Sequence, residues 1–305
     1  MLSIIIPTLN EFSNIRSTIL SIRDALSDLL HEIIIVDNGS TDGTLLLSKE
    51  LADLVLVDDS ATIGGLRNIG ASASKGDILI FNDADVLLTQ EWREEFDRVS
   101  PDIATGRLIV GGSLESSKQD GWLYRCWFKP VLSKKGRSSV SYVGTGHMLV
   151  SREIFFECGG FDQSLATGED SEFCIRAQRY NVQVVFNQKL KAIHGGYPVT
   201  LREFFTREFW HGSGDFQSIQ SFLSSKVAMF SSALLMLHVL VIALLIGQEF
   251  KAAAVLFVFL LLFPIAYSLG KFSVPLGFSD RAINVFFAYN YLFARSLSWL
   301  QKRLN

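Results

Sequence analysis

The chain has 305 residues, of which 49% are hydrophobic and 19% charged, and its formal net charge is −3. That length suits roughly two folding units. The slight acidity argues against the basic face that a nucleic-acid partner requires, and the apolar excess points toward a membrane protein. Cys126, Cys158 and Cys174 are odd in number and form no CxxC pair. They read as reduced thiols of a cytosolic domain, not as a disulfide frame or a zinc site. Leu2 to Ile6 is too short and lacks the basic flank of a signal peptide, and it stops at Pro7.

In chain order, β-branched apolar runs alternate with helical patterns. Ser3 to Pro7 reads as a strand, and Asn14 to Leu30 as a helix with Ile15, Ile19, Leu20, Ile22 and Leu26 on one face. Glu32 to Asp37 is the next strand, Thr44 to Leu51 a helix, Leu54 to Asp59 a third strand. Leu66 to Ser74 is helical, and Ile78 to Phe81 a fourth strand. This βαβαβαβ order predicts an α/β fold, a mostly parallel Rossmann-like sheet with helices on both faces. Strands covered on both sides read as continuous apolar runs, as these do.

Ligands of such sheets sit beyond the carboxyl ends of the strands. Here those ends carry "PTLNE", "DNGSTDGT", "DDS" and "NDAD". Any one of these is ordinary turn chemistry, but four in succession at one edge suggest a site. Asp83 and Asp85 stand one residue apart, so an extended backbone presents both carboxylates to one point. Their repulsion calls for a cation, and hard oxygen ligands suit Mg²⁺ or Mn²⁺ completed by substrate phosphates. No GxxxxGK[ST] loop is present and no GxGxxG follows a strand, which lowers the weight of simple NTPases and Rossmann dehydrogenases.

After about Ser225 the composition changes. Val227 to Gly247 carries no charge, and a second apolar run, Ala252 to Gly270, follows "QEFK". About 20 helical residues cross a ~30 Å hydrocarbon core, so both runs are long enough. Soluble helices need a polar face, which these lack. Lys226 precedes the first run; Lys271, Arg281, Arg295, Lys302 and Arg303 follow the second. Positive-inside logic therefore predicts a multi-pass cell-membrane protein with its large domain and tail on the cytoplasmic side. The tail shows a stripe of Arg281, Asn284, Ala288, Arg295, Ser298 and Lys302. It reads as an interfacial helix or a third span. The expected divisions are 1–200 for the α/β domain, 201–226 for an amphipathic interface segment, 227–270 for a transmembrane hairpin, and 271–305 for a basic amphipathic tail.

"IIIPTLNE", "IIIVDNGSTDGT", "GGLRNIGASASKGDILIFNDAD" and "GGFDQSLATGEDSEFCIRAQRYN" together resemble family 2 glycosyltransferases of the GT-A fold, across about Met1 to His194. The C-terminal runs resemble those of membrane-anchored members. The resemblance implies that Pro7, Thr8 and Glu11 line a nucleotide pocket, that Asp37 reads the base, and that Arg67 sits near the nucleotide or its diphosphate. It identifies Asp83 and Asp85 with the D-x-D metal and nucleotide pair, and Asp170 of "GED" with the general base. Glu169 then stands on the acceptor side. His194 is either a third metal ligand or a hydrogen-bonded scaffold residue. "TREFWHG" is similar to the basic-aromatic motif of processive members through Arg207 and Trp210, but Phe209 stands where a second basic residue belongs. The segment is an acceptor-side cap or an amphipathic interface helix. "GWLYRCWFKP", Gly121 to Pro130, is a lipid contact or a flap.

The resemblance thus implies a metal-dependent, inverting transferase with a nucleotide-diphosphate sugar donor and a lipid-linked or glycan acceptor at the membrane lipid. Two rivals stay open: transfer to a polyprenyl phosphate, and a catalytically silent nucleotide-sugar-binding scaffold. A nucleotidyltransferase would want a basic triphosphate loop, which "PTLNEFSN" lacks.

Overall fold

The computed structural model describes residues 1–117, 121–129, 137–272 and 278–300. The chain forms two compact units. The first comprises residues 1–119 and 134–197, the second residues 120–133 and 198–305.

The first unit is built on a nine-stranded sheet. Its strands are β1 (Leu2–Thr8), β2 (His31–Asp37), β3 (Leu54–Val57), β4 (Ile78–Asn82), β5 (Val86–Leu88), β6 (Leu108–Ser116), β7 (Arg137–Ser139), β8 (His147–Ser151) and β9 (Gln183–His194). They lie in the order β3-β2-β1-β4-β8-β6-β9-β5, with β7 paired to β9. The first four strands are parallel. β8 then runs antiparallel to both β4 and β6, so the sheet is mixed beyond that point. Strand alternation divides the core. Ile4, Ile6, Ile33, Ile35, Ile78 and Ile80 face α1 (Phe12–Ala25) and α4 (Gln90–Thr105). Ile5, Leu79 and Phe81 pack on the other side with Phe155, Phe161 and Phe173. Helices therefore cover both faces, as the continuous apolar strands require. Two further helices, α2 (Thr44–Leu51) and α3 (Ile63–Ala73), complete the βα crossovers.

α1 stops at Ala25, short of the expected Leu30. Leu26 stays fully buried after the helix ends, so a core turn prolongs the apolar pattern. Asp83 to Asp85 is a tight turn, not an extended strand, with Val86 N donating to Asp83 O at 3.1 Å.

The second unit is helical. The helices Lys226–Ile246 and Phe250–Lys271 are each long and apolar enough to cross a membrane. Only 17% and 22% of their most apolar windows are buried, unlike the core helices of a soluble protein. Pro264 lies inside the second without ending it. The helix Phe278–Leu297 packs against both and against Leu201–Gly212. Its small and polar stripe is turned inward, since Asn284 and Ala288 are buried, as is Ser298 in the turn that follows. Arg295 pairs with Glu208 at 3.0 Å and Asp215 at 3.2 Å. The aromatic segment belongs here too. Trp127 contacts Phe204, Phe272, Phe287 and Tyr291, and Asn284 donates to Cys126 O at 2.7 Å. Pro130, Lys302 and Arg303 lie outside the described residues.

Candidate active site

The acidic centre forms where β4 runs out. β5 pairs antiparallel with the end of β9, setting Val86 opposite His194. Gly195 N donates to Asp85 O at 2.9 Å, which fixes the turn against β9. This register brings a histidine remote in sequence beside the two aspartates. His194 Nε2 lies 3.4 Å from Asp85 Oδ2. One donor atom from each of Asp83, Asp85 and His194 falls within 4.8 Å of the others. Two carboxylates and an imidazole suit a divalent cation. A Cβ on Gly196 would collide with Asp85 Oδ2, and one on Gly146 would come within 2.9 Å of Asp83 Oδ2. Glycine at these positions lets the backbone approach the carboxylates closely, and the donor set of two carboxylates and an imidazole fits a metal.

Arg67, delivered by α3, is buried and spans two carboxylates. Nη2 donates to Asp83 Oδ1 at 2.8 Å and Nη1 to Glu169 Oε1 at 2.7 Å. Thr145 Oγ1 adds a bond to Glu169 Oε1 at 3.3 Å. Arg67 thereby joins the metal-type acids to the start of the helix Glu169–Arg179. The next residue, Asp170, accepts from Ser171 N at 2.7 Å. Burial first, and then the Glu169 charge, push its carboxyl up to about 6. Later in the helix Glu172 and Arg176 pair at 2.7 Å, one turn apart.

Glu11 faces the same centre. Burial raises its pKa, as do the charges of Asp85, Asp83 and Asp42, against a hydrogen bond from Asn14. Pro7 and Thr8 end β1, and Asp37 ends β2. Asp37 is fully buried and accepts from Thr8 Oγ1, Ser40 N and Ser40 Oγ at 2.9, 2.8 and 2.6 Å. Its carboxylate ties the β1 and β2 loops together. Arg207 and Trp210 lie in the second unit. The Arg207 guanidinium stacks 5.0 Å from the Phe128 ring, while Trp210 is exposed.

A "VGTGH" run, Val143 to His147, was not singled out from the sequence. Its Thr145 reaches Glu169 and its Gly146 faces Asp83. The signal available was a pair of glycines around a threonine, a mark of close backbone approach.

The model of "Glycosyl transferase family 2" matches residues 3–155.

The chain belongs to glycosyl transferase family 2.

A second family model, "Glycosyl transferase family group 2", matches residues 124–274. Among relatives of this family 2 chain is Glycosyltransferase AglE of Haloferax volcanii. It is 26% identical over 225 residues, 70% of this chain and 73% of its own length. An undecaprenyl-phosphate 4-deoxy-4-formamido-L-arabinose transferase of Aeromonas hydrophila is 30% identical over 160 residues, 48% of this chain and 45% of its own. The mannosyltransferase PcManGT of Pyrobaculum calidifontis, solved with GDP-Man and Mn²⁺, aligns with a TM-score of 0.59 over 99% of this chain and 87% of that one. At 17% identity that likeness speaks for the fold. The chain is a glycosyltransferase of the GT-A fold, with two C-terminal apolar helices able to cross a membrane.

Proposed function

We propose that this enzyme moves a sugar from a nucleotide-diphosphate sugar to a hydroxyl of a membrane-associated, lipid-linked acceptor, with inversion at the anomeric carbon. The observation that carries the reading is the pairing of a carboxyl poised at about 6, Asp170, with the Asp83–Asp85–His194 cluster. Asp83, Asp85 and His194 would hold Mn²⁺ or Mg²⁺. When bound, such an ion neutralises a diphosphate and stabilises it as a leaving group. Asp170 would take the acceptor proton as the hydroxyl attacks, with Glu169 beside it held by Arg67. A base near its working pH combines a usable deprotonated fraction with proton affinity.

Pro7, Thr8 and Glu11 would line the nucleotide pocket. Asp37 would shape the base site through the loops that it ties; direct contact with a base would need Ser40 to swing aside. Arg67 would act on the diphosphate through Asp83. Arg207 and Trp210 would serve the acceptor side. Both apolar helices would span the membrane, with Lys226, Lys271 and Arg281 on the cytoplasmic side. An impermeant thiol reagent outside the cell should then label a cysteine placed at Gln248; protection there would reverse the topology.

A second reading, transfer to a polyprenyl phosphate, is favoured by the Aeromonas relative's name. A phosphate acceptor is already anionic and needs no base, so the poised Asp170 speaks for a hydroxyl.

The test is thermal unfolding in detergent across a panel of nucleotide sugars, with and without Mn²⁺. A ligand at a hundred times its Kd adds about 2.7 kcal/mol. Failure of every nucleotide sugar to stabilise the protein with Mn²⁺ present would overturn the donor assignment.

A further inference from the structure

Beneath the acidic turn lies a chain of three buried polar side chains that the proposed chemistry does not use. Trp92 of α4, His147 at the start of β8 and Asn82 at the end of β4 are each almost fully buried. The indole Nε1–H of Trp92 donates to His147 Nε2. An indole nitrogen can only donate, so Nε2 must be the accepting nitrogen and Nδ1 must carry the ring proton. Nδ1 faces Asn82 Oδ1 at 3.0 Å. The other half of the Asn82 amide, Nδ2, donates to Asp83 O at 3.0 Å and Val86 O at 2.9 Å. Those two carbonyls bracket the turn that carries Asp83 and Asp85.

We propose that Trp92, His147 and Asn82 form a relay that positions the metal-binding turn, with Trp92 selecting the histidine tautomer and the tautomer fixing the direction of the Asn82 amide. The inference rests on the metal reading above. Every link has one orientation that works. If Nε2 carried the proton, it would oppose the indole N–H. Nδ1, now an acceptor, would oppose Asn82 Oδ1. The amide would then have to turn over, setting its oxygen against the carbonyls of Asp83 and Val86 and releasing the turn. The direct backbone anchors of the turn, Asp83 N to Gly146 O and Gly195 N to Asp85 O, fix its two sides, while the relay fixes its base. Burial keeps the imidazole neutral, so both nitrogens hold to their assigned roles. Trp92 also stacks on Phe96, ring centroids 4.9 Å apart, so its packing and its N–H can be separated by substitution.

Groups that orient metal ligands typically contribute 10–100-fold to affinity. Trp92→Phe keeps a six-membered aromatic ring in the site but removes the donor together with the five-membered ring of the indole, a packing loss for which Phe96→Leu is the control. It should weaken Mn²⁺ binding by about tenfold, the low end of that range, measured by the electron paramagnetic resonance of free Mn²⁺ in detergent. Phe96→Leu disturbs the same packing but leaves the relay intact, and should bind Mn²⁺ like the wild type. Equal losses in both variants, or none in Trp92→Phe, would overturn the relay while leaving the metal site standing. A wild type that takes up no Mn²⁺ would instead overturn the metal reading, and with it the task assigned here. Should Trp92→Phe fail to fold, the wild type still decides the matter. Long-range ¹H–¹⁵N correlation should show His147 as the Nδ1–H tautomer, and an Nε2–H signature would overturn the proposal.

Discussion

In the second unit, Arg295 lies between Glu208 and Asp215, at 3.0 and 3.2 Å. In the first, Arg67 spans Asp83 and Glu169 in the same manner, at 2.8 and 2.7 Å. What surrounds the two arginines differs. Around Glu208, burial raises the carboxyl, but Arg295, Arg207, His211 and Lys271 together hold it below its usual value. Around Arg67 the balance runs the other way: Asp85, Glu11 and Asp170 add to the two carboxylates it already serves, and burial and acid neighbours raise Glu11 and Asp170. A buried ion pair is weak evidence for stability, and losing one partner is costly. In the second unit Glu208 and Asp215 find their basic partner within the unit. The first leaves a surplus of negative charge at the strand ends, where a cation and a phosphorylated substrate can use it.

The largest expected effect follows from that surplus. Asp85→Ala removes a carboxylate that nothing else replaces, and turnover should fall to background, with nucleotide binding made insensitive to Mn²⁺. Full activity in excess chelator would break the contrast between the units at its root. Next comes Asp170→Asn, which keeps size and removes the carboxylate proposed as the base. A positioned general base contributes ~10²–10⁴-fold, so kcat and kcat/KM should fall together by that factor while donor binding holds. A variant keeping more than about a third of kcat, well short of that loss, would discard the base and favour the phosphate acceptor.

The two arginines give a direct comparison. Arg67→Met leaves Glu169 buried without its ion pair and should lose about 3–5 kcal/mol of stability. Arg295→Met removes the ion pair of Glu208 but leaves Arg207, His211 and Lys271 acting on it, so its loss should be smaller. Mn²⁺ should restore part of the loss in Arg67→Met, because a cation at Asp83 supplies charge beside the vacated pair, and none in Arg295→Met. Thermal unfolding with and without Mn²⁺ reads this, and equal responses would show that the clusters do not differ as argued.

The sequence showed the first cluster far better than the second. Asp83, Asp85, Glu169 and Asp170 sit in local motifs at strand and helix ends, and the apolar strands before them announce the sheet. His194 could not be decided between ligand and scaffold, because its neighbour is set by the β5–β9 register. Asp83 and Asp85 converge through a turn, although spacing alone suggested an extended segment. The tail stripe was only half legible for a related reason. Periodicity shows that Asn284, Ala288 and Arg295 share a face, but not whether water or Glu208 and Asp215 receive them. Trp92, His147 and Asn82 left no pattern at all, since three elements bring them together.

The smallest expected effect is the pH dependence, and it separates the two acceptor classes. Asp170 has its pKa raised from an ordinary 3.8 to about 6, chiefly by burial. As a base it acts only when deprotonated. kcat should therefore be flat above about pH 7 and fall as pH drops through 6, approaching tenfold per unit. The contribution to folding has the opposite sense. A raised carboxyl pKa means that the folded state holds its proton longer than the unfolded one. That stability is complete below about 3.8 and is lost as pH rises through 6. Asp170→Asn should thus gain stability relative to the wild type as pH rises across this window, while its residual activity loses the acid limb. A phosphate acceptor confuses the wild-type profile, since a phosphate monoester also titrates near pH ~6. It cannot confuse the variant. If the limb belongs to Asp170, the Asp170→Asn profile is flat between pH 5 and 8; if it belongs to the acceptor, the limb survives the substitution unchanged.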